Sequence, residues 1–216
     1  MVKVLSLTKS LETLKKYKIT VASFSIAKNS RQAMKIAKKI GYPVALKLVS
    51  KDITHKTDVG GIKLDIKSDE ELSRSFDQIM QDVKRKHRRA TIEGILVQAM
   101  VPKGQELIIG GKHDQQFGKV IIFGLGGVFA EVFDDVSMRV TPISERDAMK
   151  MIEEIKGYKI LSGYRGSKYD IKSLTDILLK TSKLLSDNKS IKELDINPVI
   201  ASSKGAIAVD ARIIVE

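Results

Sequence analysis

The 216-residue chain contains no cysteine and no tryptophan. Without thiols it has no disulfides, no thiolate nucleophile and no cysteine-built metal site. Its histidines, His55, His87 and His113, are scattered, which argues against zinc. Aromatic residues make up 5% of the chain and do not alternate with the basic ones, so a base-stacking platform is unsupported. No apolar run approaches the roughly 20 residues of a membrane span. The opening MVKVLSLTKS lacks the apolar segment and cleavage site of an export signal. A cytoplasmic protein that stays off membranes is the expectation. Acidic residues are also in deficit: 26 face 38 Lys and Arg, for a net charge of +12. Apart from Lys84–Ala90 the basic residues are dispersed. This excess points to anionic nucleotides or an acidic partner subunit, and no nucleic-acid partner is expected.

What is present is a hydrophobic content of 43%, enough for a real core, with 30% charged residues. Leu7, Leu11, Leu14 and Tyr17 recur at helical spacing. Ala33, Ile36, Ala37 and Ile40 form a second apolar helix face, ended by Gly41. Val21–Ala27 and Pro43–Val49 read as strands. Ile62, Leu64 and Ile66 alternate with Lys63, Asp65 and Lys67, which predicts a half-buried strand. A helix over Asp69–Lys86 is built on Leu72, Phe76, Ile79 and Val83, with Ser68 and Glu71 in a capping-box pattern. Strands over Ile95–Val101, Glu106–Gly110 and Lys119–Phe123 follow, then one around Ser137–Val140. Helices around Glu145–Lys156 and Ile171–Ser186 precede two closing strands. Hairpins and helices mix without regular βαβ alternation. The fold class is therefore α+β, in two lobes: residues 1–100 with the leading helix, and residues 101–216.

Five segments offer chemistry. Near the C-terminus, ELDINPVIAS and AIAVDARIIV place Asp195 and Asn197 at the end of one apolar run and Asp210 inside the next. Two carboxylates and an amide oxygen would face each other across a turn. Mg²⁺ carrying nucleotide phosphates is held in this way, by few protein oxygens with phosphates and water completing the octahedron. Lys47, in PVALKLV, shares a strand face with Ala45 and Val49. A lysine there either snorkels or pairs with an anion such as phosphate. The loop Ser50–Gly61 carries His55 at its middle. A histidine can accept a phosphoryl group, and it can equally be a solvated loop residue. Gly126 and Gly127, in FGLGGVFAEV, could form a backbone anion nest or a bare turn. In Val97–Glu106 the backbone around Gln98 and Met100 could read an adenine edge, and Glu106 could accept from ribose hydroxyls. The plain alternative is a linker with a surface carboxylate.

Together these stretches resemble the β subunit, or ATP-grasp portion, of the ADP-forming acyl-CoA synthetases. The matching pieces are GYPVALKLVSKDITHKTDVGGIKL, GILVQAMVPKGQELIIGG, FGLGGVFAEVFDDVSMRVTPI, KGYKILSGYRG and ELDINPVIAS with AVDARI. They occur in the family's order over nearly the whole chain. The resemblance implies an ATP-grasp fold of two α+β lobes clamping ATP or ADP with Mg²⁺. It implies the reaction acyl-CoA + ADP + phosphate ⇌ organic acid + ATP + CoA, with acetyl-CoA the expected acyl-CoA. It assigns His55 as a second phosphoryl carrier on a mobile loop, and Lys47 to the nucleotide. Asp195, Asn197 and Asp210 match the metal-binding end, and Glu106 a ribose contact. It implies a CoA-binding α subunit in an α₂β₂ assembly, because neither a CoA-binding domain nor the α-subunit histidine segment is in the sequence. Ala99 stands where relatives often carry a charge, and ITVASFSIA replaces a proline-containing entry to the first lobe. A regulatory ATP-sensing module and a carboxylate–amine ligase on the same fold are the alternatives. The intact His55 loop argues against both.

Overall fold

The computed structural model describes residues 2–53, 56–127, 135–163 and 168–216. The chain divides into two compact units, Ala22–Val101 and Met1–Val21 with Pro102–Glu216. The leading helix therefore belongs with the C-terminal unit, a correction to its expected place in the first lobe. The cause is strand pairing. β1 (Lys3–Val4) runs antiparallel to β11 (Arg212–Val215), with Lys3 opposite Val215. Tyr17, at the end of α1 (Leu7–Lys16), accepts a hydrogen bond from Asn188 at 2.8 Å through its hydroxyl. Periodicity shows that a helix has a face to bury, and it is silent about which sheet will cover it.

The Ala22–Val101 unit is an antiparallel sheet in the order β2 (Phe24–Ala27), β5 (Ile92–Ala99), β3 (Val44–Ser50), β4 (Ile62–Ile66). Two helices accompany it, α2 (Ser30–Ile40) and α3 (Asp69–Lys86). The core joins Ala33 and Ala37 of α2 and Leu72, Phe76, Ile79 and Val83 of α3 to Val44, Leu46 and Leu48 of β3. The caps are local and legible. Asn29 accepts from Gln32 N–H at 2.9 Å, and Gly41 ends α2 at φ 94°. Ser68 accepts from Glu71 N–H at 3.2 Å, while the Glu71 carboxylate reaches Lys67 N–H at 2.9 Å, one residue short of a closed box.

The expected alternation of β4 fails at Asp65. Ile66 pairs with Val44 and Lys63 with Leu46, so Leu64 and Asp65 together oppose Ala45. This is a β-bulge, and Asp65 takes φ 58°, which aspartate tolerates. The extra residue turns Ile66 into the core at 1% exposure and leaves Leu64 outside at 58%. A one-residue insertion moves every later side chain to the other face.

The second unit is built on a seven-stranded sheet. Its order is β1, β11, β9 (Ile191–Ser202), β6 (Gln105–Asp114), β7 (Gly118–Leu125), β8 (Val136–Val140), with β10 (Gly205–Ala208) on β9. β6 continues to Asp114, four residues past its expected end. The Asp114 carboxylate closes the hairpin by accepting from Gln116 and Phe117 N–H at 2.8 and 3.0 Å. The helices are α4 (Glu145–Glu154), α5 (Tyr158–Leu161) and α6 (Ile171–Asp187). Buried Asp135 accepts from Lys156 and Gly157 N–H at 2.6 and 2.7 Å, satisfying the backbone between α4 and α5.

Candidate functional site

The seven-stranded sheet has two unlike faces. One is apolar: Leu107, Ile109, Ile121, Phe123, Leu194, Ile196 and Ile213 are all buried. On that face Gly111 lies so close to Leu185 of α6 that any Cβ would overlap the leucine side chain. On the other face, cross-strand pairing sets one row: Met138, Ile122, Gly110, Asp195, Arg212. Asp195 therefore stands between a glycine and an arginine. A Cβ built on Gly110 would meet nothing nearer than 3.7 Å, so packing does not require glycine there. The missing side chain leaves room beside the Asp195 carboxylate.

Two further oxygen donors stand close in the chain's path. Asn197 follows Asp195 by two residues and is exposed, in contrast to buried Leu194 and Ile196. The apolar run expected to contain Asp210 breaks into β10 and β11, and Asp210 occupies the connection. Val209 N–H donates to Pro198 O at 3.0 Å, which draws this connection alongside Asn197–Pro198. Burial pushes the Asp195 carboxyl above its ordinary range, and the negative charges of Glu193 and Asp210 push the same way, while Arg212 opposes them. A half-buried carboxylate crowded by like charge is relieved by a cation. The described residues hold no group of three or more His, Cys, Asp or Glu able to bind a metal ion. Two carboxylates and an amide fit Mg²⁺, which keeps several ligands from phosphate and water.

Lys47 is buried on β3, opposite Leu96 of β5 and Ile62 of β4, on the face turned away from Val44, Leu46 and Leu48. Gln98 is buried on the same face, opposite Ala45 and Phe24. A buried ammonium and a buried amide on one side of a sheet are a polar patch suited to an anionic ligand. Met100 donates its N–H to Pro43 O at 3.1 Å, so that donor is not offered to a base.

The glycine turn after β7 differs from the expected anion nest. Gly126 N–H already donates to Glu106 O at 2.8 Å, and a Cβ on Gly127 would sit 3.5 Å from the Glu106 carboxylate. A phosphate there would lose a donor and face a negative charge. Gly126 and Gly127 instead allow close approach of β6 and the β7 end, and Glu106 keeps an exposed carboxylate.

His55 and Thr54 lie outside the described residues. Their described flanks are anchored. Ile53 and Val59 are buried in the α2–α3 core. Asp52 accepts from Thr91 N–H at 2.5 Å, and Lys86 of α3 donates to Asp58 O at 2.9 Å. Gly61 N–H closes back on Lys56 O at 2.7 Å. The described flanks on both sides are thus tied to the α2–α3 core and to α3.

Reading the sequence alone missed Gly110 and Arg212. The dipeptide after Asp210 contained the arginine, but only strand register places it beside Asp195.

Residues 2–215 match the ATP-grasp domain family. The chain is 48% identical over 204 residues to the β subunit of acetate–CoA ligase (ADP-forming) I of Pyrococcus furiosus, covering 94% of this chain and 88% of that protein. It resembles the acetyl-coenzyme A synthetase 1 of Ca. Korarchaeum cryptofilum in complex with coenzyme A and Ca-AMPCP. That match has a TM-score of 0.96 and 46% identity, over 99% of this chain and 94% of the other. A second structure of that synthetase, with coenzyme A and Mg-AMPPCP, has its phosphohistidine segment pointing towards the nucleotide binding site. It matches at TM-score 0.88 and 41% identity, over 99% and 93% of the two chains.

Proposed function

We infer the activity from the premise that the chain belongs to the ATP-grasp family, among the β subunits of the ADP-forming acetate–CoA ligases. It is a nucleotide-binding subunit of an acid–thiol ligase that uses ATP or ADP with Mg²⁺. The reaction is acyl-CoA + ADP + phosphate ⇌ organic acid + ATP + CoA, and acetyl-CoA is the acyl-CoA we propose. The observation that carries the nucleotide reading is the pair Asp195 and Asp210 beside Gly110, a glycine that packing does not require, on the partly exposed face of the sheet.

In the proposed mechanism Asp195, Asn197 and Asp210 hold the metal. When bound, Mg²⁺ supplies charge neutralisation for the phosphates. Lys47 contributes an ammonium to the phosphates, with Gln98 beside it on the same face. Glu106 accepts from ribose, and Met100 takes part through groups other than its N–H. A partner subunit is required, and we propose that it binds CoA and assembles as α₂β₂. His55 receives a phosphoryl group from the partner's phosphohistidine through a new P–N bond, as the old P–N bond breaks. It then gives the group to the β-phosphate oxygen of ADP. Support for this carrier role comes from the motif around His55 and from the phosphohistidine segment of the Korarchaeum relative.

The test is His55→Ala in the assembled enzyme, followed with radiolabelled phosphate. Transfer between nucleotide and the partner's phosphohistidine should stop, while acyl phosphate formation on the partner continues. Normal transfer to nucleotide would remove His55 as a carrier. Simultaneous loss of both half-reactions would make the loop structural.

A further inference from the structure

We propose that Arg212 is a phosphate-binding residue of this site, a role that rests on the nucleotide reading above. Its position follows from register: Arg212 is the direct cross-strand neighbour of Asp195, and Gly110 is the neighbour on the other side. All three share one sheet face, because Ile213 and Leu194, one residue along, are buried on the other. The guanidinium is therefore held near Asp195, one of the proposed metal-binding carboxylates, in the row that also contains Gly110.

The plain alternative is a cross-strand ion pair with Glu193. That pair spans 3.7 Å, with the Arg212 and Glu193 side chains 55% and 48% exposed. At this distance it is not a hydrogen bond, and an exposed pair of this kind contributes about 0–1 kcal/mol. A guanidinium has five N–H donors in a planar fork, and Glu193 does not exhaust them.

Charge balance gives Arg212 its purpose. Glu193, Asp195 and Asp210 together outweigh the two positive charges of Mg²⁺ by one. Lys112, the cross-strand neighbour of Glu193 on the same face, offsets that excess. Arg212 adds the positive charge that an anionic ligand needs, and its fork matches two phosphate oxygens. An arginine beside metal-binding carboxylates weakens binding of a bare cation by repulsion. It becomes an advantage when the cation arrives with phosphates attached.

This reasoning gives opposite signs for two ligands. On the full chain, Arg212→Met should lower Mg·ADP affinity at least tenfold in calorimetry, about 1.4 kcal/mol. Affinity for Mn²⁺ without nucleotide, read by electron paramagnetic resonance, should stay the same or rise. Arg212→Lys should recover part of the Mg·ADP affinity, since a lysine restores the charge without the fork. Glu193→Gln, which frees the guanidinium, should bind Mg·ADP as well as wild type or better. Unchanged Mg·ADP affinity in Arg212→Met overturns the proposal. So does an equal loss of Mn²⁺ and Mg·ADP affinity, which would report a damaged site. If Arg212→Met fails to fold, Glu193→Gln decides: a tenfold loss there means that the ion pair is structural. Wild-type chain that binds no Mg·ADP would sink the nucleotide reading and this inference together. Wild-type binding with no effect of Arg212→Met would sink this inference alone.

Discussion

Gly110 and Gly111 are adjacent on β6 and face opposite sides of the same sheet. Gly111 is small because Leu185 of α6 occupies the space where its Cβ would be. Gly110 is small although a Cβ there would meet only ordinary contacts at 3.7 Å. On the covered face, residue choice is explained by packing. On the other face packing leaves the glycine unexplained, and it shares a row with Asp195 and Arg212. The four-stranded sheet repeats the contrast: Leu46 and Leu48 meet the helices, while Lys47 between them points away. Residues that packing does not account for are the ones to test for binding.

The largest stability effect should come from the covered face and its loop anchors. Ile53→Ala empties a core position and should lower stability by about 2–5 kcal/mol, at the lower end for a loop residue. Chemical denaturation would measure it. The same variant loosens one anchor of the His55 segment, so phosphoryl transfer should change more than nucleotide affinity does. Gly111→Ala should lower stability by about 1–3 kcal/mol through overpacking against Leu185. Gly110→Ala should leave the melting temperature nearly unchanged and yet weaken Mg·ADP binding. Equal stability losses in the two glycine variants would break the comparison.

Asp210→Ala sharpens it from the ligand side. Mg-dependent nucleotide affinity should fall at least tenfold, about 1.4 kcal/mol, with the fold intact. Unchanged affinity by calorimetry would remove Asp210 from the metal site.

Asp195 should show a smaller effect of opposite sign. Its carboxyl lies above the ordinary range in the folded chain, chiefly through burial. The folded state therefore holds this proton more tightly than the unfolded state does. Metal-free chain should lose stability as pH rises through the folded pKa and regain it as pH falls towards the ordinary aspartate range. At neutral pH, Asp195→Asn should raise the melting temperature of the metal-free chain while removing metal-dependent nucleotide binding. A lower melting temperature would mean that the carboxylate serves packing. Glu193→Gln should shift stability least, by under about 0.5 kcal/mol, as expected for an exposed pair.

Much of the site was legible as residues, and less of it as geometry. Asp195, Asn197 and Asp210 stood out because oxygen donors punctuated two apolar runs. Lys47 stood out because a charge interrupted a strand. The Gly126–Gly127 turn stayed open between an anion nest and a bare turn because glycines signal backbone freedom without revealing where their N–H groups go. The anchoring of the Ser50–Gly61 flanks was not legible for a similar reason. Composition marks a loop as polar, but burial of Ile53 and Val59 depends on helices that follow them in the chain.

The sequence by itself determined the elements with local causes. Ser68 and Asn29 cap helices through neighbours three residues away, and Gly41 stops α2 by adopting φ 94°. The order of its motifs also determined the family, since side-chain chemistry at several positions can be compared without coordinates. Tertiary structure alone decided what lies beside what. The bulge at Asp65 put Ile66 in the core and Leu64 outside. Pairing of β6, β9 and β11 set Gly110, Asp195 and Arg212 in one row, although Gly110 is remote from the other two in the chain. Strand register arises from the packing of a whole sheet face, and no local window of sequence contains that sum.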